Sequence, residues 1–239
     1  MSKGNILLSS ARSGTNYFLT AYSKCFSRNF VAREIFRPEG DSFPLIEELI
    51  GLNRNEVLAL VAAEPVKLWQ MIVTATEREE REALAKIFYS HVDRSDPLWS
   101  HFRENDKIIH LIRRNAFDVF LSLKTAIATG KWDEFGKHSS STEVAPLVLN
   151  RAELVAFLDE QRDHVHHVRT FYANADYAEL FYEEIADSVE TCVRSICAVF
   201  DRPLPSYPIS IILRKQKEKS NQELVANYDE VAEFDRFLF

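Results

Sequence analysis

Twice along this chain a short apolar run breaks off into a polar turn and resumes as apolar residues at helical spacing. This doubled strand-turn-helix pattern constrains the fold more than any other feature. The first copy is Ile6-Leu7-Leu8, then Ser9-Ser10-Ala11-Arg12-Ser13-Gly14-Thr15, then Tyr17, Phe18, Ala21, Tyr22 and Cys25 on one helical face over 14–26. The second is Lys107-Ile108-Ile109-His110-Leu111-Ile112, ending at Arg113-Arg114, with helical spacing over 116–128. Similar signals predict strands over 30–32, 66–69 and 175–177, and helices over 45–61, 77–89, 153–172 and 185–200. Strands that alternate with helices predict an α/β protein built on a mainly parallel sheet.

With 239 residues, 46% of them hydrophobic, the chain can bury a full core and is read as one domain over 1–239. The stretch 130–150, with Gly130, Gly136, Ser139, Ser140, Ser141 and Pro146, lacks periodicity and is expected to be a mobile loop over a binding site. No apolar run approaches the roughly 20 residues of a bilayer span, and the start is too short for a secretory signal, so a cytoplasmic protein is expected. Cys25, Cys192 and Cys197 form no C-x-x-C pair and are read as reduced and structural. A net charge of −7 argues against nucleic acid or anionic lipid as partners, so an anionic ligand must find locally concentrated positive charge.

Both strand-to-helix junctions can supply it. In the first, backbone N–H groups and a helix dipole converge, Gly14 permits close approach, Ser13 and Thr15 add hydroxyls and Arg12 adds charge. A Gly turn followed by a Ser/Thr cap explains the same residues. The loop is not G-x-x-x-x-G-K-[ST], which disfavours an ordinary ATP or GTP site. In Arg114-Asn115-Ala116-Phe117-Asp118-Val119-Phe120-Leu121-Ser122, Arg114 stands at the helix start and Ser122 two turns on, so both can reach one anion. Alternatively, Arg114 merely pairs with Asp118 one turn away.

R-S-G-T after the first strand, with R-N-x-x-D-x-x-x-S after a later one, resembles the two nucleotide motifs of sulfotransferases that use 3′-phosphoadenosine-5′-phosphosulfate (PAPS). The resemblance implies a P-loop-like three-layer fold with PAPS as co-substrate. By it, Arg12, Ser13, Gly14, Thr15 and Asn16 hold the 5′ side, and Arg114 and Ser122 hold the 3′-phosphate. Asn16 departs from the usual second Ser or Thr. Within the family the chain looks most like bacterial carbohydrate sulfotransferases of the trehalose sulfotransferase type. Arg33-Glu34-Ile35-Phe36 is similar to the stretch bearing their glutamate base, Val66-Lys67-Leu68-Trp69 to their G-x-K-L-x-W stretch, and 215–228 to the segment closing over the nucleotide.

The resemblance thus implies a hydroxyl acceptor, on a sugar or glycolipid, and in-line displacement at sulfur. Glu34 would be the base, with its pKa raised by partial burial. Lys67 and Arg12 would stabilise the leaving oxygen, and Lys215 and Gln216 would reach the 3′-phosphate. The family includes homodimers. A surface pairing of Glu34 with Arg33 or Arg37 is the plainer account of that carboxylate. Asp163, His164 and His167 share a helix face, read as polar lining of the acceptor cleft rather than a metal site. Two competitors are a P-loop phosphotransferase, which should carry G-K-[ST], and a non-catalytic module binding 3′-phosphoadenosine 5′-phosphate (PAP), which needs no base.

Overall fold

The computed structural model describes residues 3–38, 40, 42–130, 132, 145–211 and 219–239. Among these residues, β1 (Asn5–Ser9), β2 (Asn29–Arg33), β3 (Glu82–Phe88), β4 (Lys107–Ile112) and β5 (Tyr177–Phe181) form one sheet in the order β2-β3-β1-β4-β5. Every neighbouring pair is parallel, with Leu7 of β1 beside Lys86 of β3 and Ile109 of β4. β1 is buried at all five positions. That is the signature of a central strand covered on both faces, and it explains why Ile6-Leu7-Leu8 shows no alternation.

Alternate residues feed two cores. Ile6, Leu8, Phe30, Ala85 and Ile108 pack against α2 (Phe43–Ile50), α3 (Arg54–Ala63), α4 (Pro65–Arg78) and α5 (Pro97–Asn105). Leu7, Leu84, Ile109 and Leu111 pack against α1 (Thr15–Cys25), α8 (Tyr182–Ile185) and α9 (Val189–Val199), where Cys192 is buried. A third cluster joins α6 (Ala116–Thr129) and α7 (Arg151–Phe171) to Val225 and Val231 of the C-terminal segment. The result is a P-loop-like three-layer α/β fold, as predicted.

Two element predictions fail, and they fail together. Residues 66–69 are not a strand but the first turns of α4, which Pro65 opens. Leu68, Trp69, Ile72, Val73 and Thr76 are its buried face, a helical stripe that a four-residue window cannot display. Residues 77–89, expected as helix because of the run Glu77 to Glu82, instead carry β3. The helix expected over 45–61 is two: α2 ends at Gly51 in the left-handed region, and Asn53 caps α3 by accepting from Asn55 and Glu56 N–H.

Gly4, just before β1, is required by packing. A Cβ there would stand 2.3 Å from the Trp69 ring, whose indole N–H donates to Asp106. Of the expected mobile loop, residues 131 and 133–144 lie outside the described residues; α6 ends at Gly130, and Leu147 pairs with Val225.

Candidate active site at the carboxyl edge of the sheet

The loop leaving β1 turns on two left-handed residues, Arg12 (φ 66°) and Gly14 (φ 84°). For Arg12 this conformation is sparsely populated and costs on the order of 1 kcal/mol. Strain of this kind recurs where a loop must aim its N–H groups at one point. Gly14 is confined twice over, by its φ and because a Cβ would lie 2.2 Å from the Tyr182 ring. Gly14 precedes α1 and has no side chain to cap it, and the start of a helix favours an anion. Ser13 and Thr15 are buried, and Ser13 Oγ lies 2.7 Å from Ser10 Oγ. Asn16 follows in the first turn, its carbonyl accepting from the Thr20 hydroxyl.

The two sequence motifs meet here. Arg12 Nε donates to Ser122 Oγ across 3.0 Å, and the Arg12 guanidinium also donates to the Trp132 carbonyl. Arg113 reaches the same loop: Nη1 donates to the Arg12 carbonyl at 3.3 Å, Nη2 to Asp118 at 2.9 Å, and its guanidinium lies 4.9 Å over the Tyr182 ring. Arg114 turns away from them. Its Nη2 donates to Glu184 at 2.6 Å, and its guanidinium stacks 3.7 Å over Phe181, in the strand and turn that precede α9. Asp118 thus bonds Arg113, one residue before the Arg114 that spacing nominated. The backbone N–H groups of Arg114 and Asn115 donate to Glu183 at 3.0 and 3.1 Å, so a carboxylate seats the entrance of α6.

The C-terminal segment braces this helix start. Asp235 accepts from Asn115, Asn221 and Tyr228, and Asn221 also donates to Asp118 at 2.9 Å. Lys215 and Gln216, expected at the 3′-phosphate, lie outside the described residues.

On the α1 face of the sheet, between β2 and β3, is a buried ion pair that sequence reading missed. Lys86 of β3 is 4% exposed, and its Nζ donates to Glu34 Oε1 at 2.8 Å. Glu34 follows β2 in the left-handed region (φ 54°), and its other oxygen accepts from Arg37 at 3.2 Å and faces His91 Nε2 at 3.8 Å. Burial alone would raise the Glu34 pKa, as the sequence suggested. The Lys86 hydrogen bond and the positive charges of Lys86 and Arg37 outweigh it, and the carboxyl is held below its usual value. The expected upward shift toward neutrality is therefore corrected. The plainer alternative, pairing with Arg37, is present beside the buried pair. Burial drives His91 down to about 4, so its imidazole is neutral at pH 7. Its Nδ1 accepts from the Phe88 N–H, which puts the ring proton on Nε2, toward Glu34.

Lys67 is the second correction. It is on α4, not on a strand, its half-exposed ammonium pairs with Glu64 at 3.1 Å, and it lines a surface groove with Ile50 and Met71. Trp69, two residues on, bonds to Asp106 at the amino edge of β4, the opposite end of the sheet from the anion loop. Lys86 supplies the strand-borne cation that Lys67 was expected to be. Its signal was present in Ala85-Lys86-Ile87-Phe88, a lone charge inside an apolar run, but the helical reading of 77–89 hid it. The helix face of Asp163, His164 and His167 lies over a cleft on the other face of the sheet from Lys86: Asp163 pairs with Arg94 at 2.6 Å, and His164 stacks on Tyr89 with centroids 4.9 Å apart.

A loop over Ser9–Thr15 that carries Arg12 and is touched by Arg113, in a chain of net charge −7, suits a phosphate or sulfate ester. No family model matches the sequence, and no curated protein matches it. Several solved structures match the fold, two of them at a TM-score above 0.5. One is a sulfotransferase domain from the curacin biosynthetic pathway, with 13% identity and a TM-score of 0.56 over 86% of this chain and 76% of that one. The other is a sulfotransferase from Alicyclobacillus acidocaldarius, with 13% identity and a TM-score of 0.54 over 98% of this chain and 91% of that one. The backbone fold is shared with these two sulfotransferases. At such identity the likeness concerns the backbone alone. No helix among the described residues is long and apolar enough to cross a membrane.

Proposed function

We propose that this protein transfers a sulfuryl group from PAPS to a hydroxyl acceptor. The observation that carries this reading is the Arg12–Ser122 hydrogen bond, which joins the two strand-to-helix entrances in a fold shared with two sulfotransferases. In this reading the N–H groups after Gly14, with Ser13, Thr15 and Asn16, bind the 5′-phosphosulfate. Arg12 and Ser122 stand between the 5′ and 3′ ends of the nucleotide, and Arg114, with Lys215 and Gln216, serves the 3′-phosphate.

Sulfuryl transfer builds negative charge on the bridging oxygen as it leaves toward the 5′-phosphate. Preorganised donors aimed at that oxygen lower the barrier, as in phosphoryl transfer. Arg12 and the loop N–H groups fill this role, and Lys86 joins them from β3 in place of Lys67. Glu34 serves best as the anion that pairs with Lys86 and aims it: removing one partner of a buried ion pair costs several kcal/mol. Family resemblance favours a sugar hydroxyl as acceptor.

Calorimetry with PAP against AMP tests the reading. PAP is expected to bind at least tenfold more tightly, and Arg114→Ala is expected to erase most of that preference. Equal affinities for the two nucleotides in the unaltered protein would defeat the proposal.

A further inference from the structure

On the face of the sheet opposite Lys86 lies a buried polar chain that the scheme above does not use. His110 of β4 is fully buried between two phenols, with Nε2 2.6 Å from Tyr89 Oη and Nδ1 2.7 Å from Tyr177 Oη. Tyr177 in turn donates to Glu179 Oε2 at 3.0 Å, and Arg169 forks onto both oxygens of Glu179 at 2.8 and 2.7 Å. Hydrogen counting gives the chain a direction. The carboxylate only accepts, so the single Tyr177 proton goes to Glu179 and the Tyr177 oxygen accepts from His110 Nδ1–H. His110 Nε2 is then bare, and Tyr89 donates to it.

One end of the chain belongs to a residue whose backbone touches the end of β1. Tyr89 N–H donates to the Ser9 carbonyl at 3.1 Å, and Tyr89 lines a cleft walled by Leu8, Trp99, Phe171 and Tyr172, with His164 at its rim. The cleft's volume, about 20 Å³, suits one water or hydroxyl and not a sugar or aryl ring. The other end, Glu179, reaches the surface at 22% side-chain exposure. The resting charges suit relay. Burial drives His110 down to about 3 and pushes both phenols up, so all three are neutral. Burial would raise Glu179, but its bonds from Arg169 and Tyr177 prevail and keep it ionised.

We infer that Tyr89 receives the acceptor hydroxyl and that Tyr89, His110, Tyr177 and Glu179 carry its proton to the surface during sulfuryl transfer. This rests on the transferase reading. The acceptor oxygen forms its bond to sulfur while the S–O bond to the 5′-phosphate breaks, its electron pair staying on the phosphate. The hydroxyl becomes strongly acidic as that bond forms, so a weak base suffices to take its proton. That proton moves to Tyr89 Oη, the Tyr89 proton to His110 Nε2, the His110 Nδ1 proton to Tyr177 Oη and the Tyr177 proton to Glu179, which releases it to water. Tyr89 is the catalytic residue, and the other three act through it.

The test pairs Tyr89→Phe and Tyr177→Phe, each removing one oxygen, with labelled transfer from PAPS to the best acceptor among methyl glycosides and simple phenols. Both variants are expected to lose about 100-fold in kcat, the lower end of the usual general-base contribution, with KM for PAPS and affinity for PAP unchanged. Turnover within threefold of the unaltered protein, with PAP still bound, would overturn the relay and leave the transferase reading standing. Failure of the unaltered protein to bind PAP would remove that reading and the relay with it. Nitrogen-15 NMR gives a readout independent of turnover: His110 is expected protonated at Nδ1 alone, and a proton on Nε2 would reverse the chain and overturn the inference.

Discussion

Arg12 and Ser122, 110 positions apart in sequence, meet at 3.0 Å across the carboxyl edge of the sheet. One side chain leaves a strained turn after β1 and the other the second turn of α6, so this bond holds two helix entrances in one frame. Arg12→Ala removes both the charge and the tie. PAP affinity is expected to fall about 10- to 100-fold, the worth of a charge-assisted hydrogen bond, with only a small change in stability because Ala bears the same left-handed strain as Arg at this position. Isothermal calorimetry beside urea denaturation separates the two effects.

Gly14 faces the Tyr182 ring with no room for a methyl group. Gly14→Ala is expected to destabilise the fold by about 2 kcal/mol or more, since a left-handed φ and a steric clash add. Combining it with Tyr182→Ala should recover the clash but not the backbone strain, leaving a residual of about 1 kcal/mol in denaturant titrations.

Lys86 and Lys67 make a direct contrast. Lys86→Met is expected to lower kcat for sulfuryl transfer by about 100-fold, as loss of a preorganised donor does, whereas Lys67→Met should leave it within twofold. Glu34→Gln should fall between them, near tenfold, because a neutral hydrogen bond then aims Lys86 in place of the ion pair. A steady-state comparison of the three variants decides whether Glu34 is an anchor or, if its loss is the most severe, the base.

Acid should weaken this protein in two stages. Burial holds His91 and His110 near 4 and 3, below the unfolded value of 6.5. Between those limits the unfolded chain binds more protons, so the contribution present above pH 6.5 is lost as pH falls, by up to about 1.4 kcal/mol per unit for each group. Glu34, depressed below its usual 4.5, adds its own loss only below that value. Urea unfolding at pH 7, 6 and 5 should show stability declining before carboxylates titrate, with His91→Gln flattening the slope.

Much of the active edge was legible because its signals are local. A run such as Ile6-Leu7-Leu8 must be buried, Gly14 must follow a turn, and Arg12 must stand beside it, whatever the rest of the chain does. The motif spacing also named Ser122, but as a partner of Arg114 at its own helix entrance; its bond to Arg12 of the first loop is a tertiary contact. Arg113 was obscured because adjacent residues on the way into a helix point in different directions, and only the packing of Phe181 and Tyr182 decides which of Arg113 and Arg114 faces the loop.

By itself the sequence determined the α/β grammar, the parallel central sheet and the two strand-to-helix entrances, since burial periodicity and turn chemistry act over a few residues. Tertiary structure alone decided which lysine is buried at the site, whether Glu34 is pushed up or down, and that Tyr89, His110, Tyr177 and Glu179 form one chain. These depend on register between strands distant in sequence and on the desolvation and charge that such neighbours bring, none of which is written in any short segment.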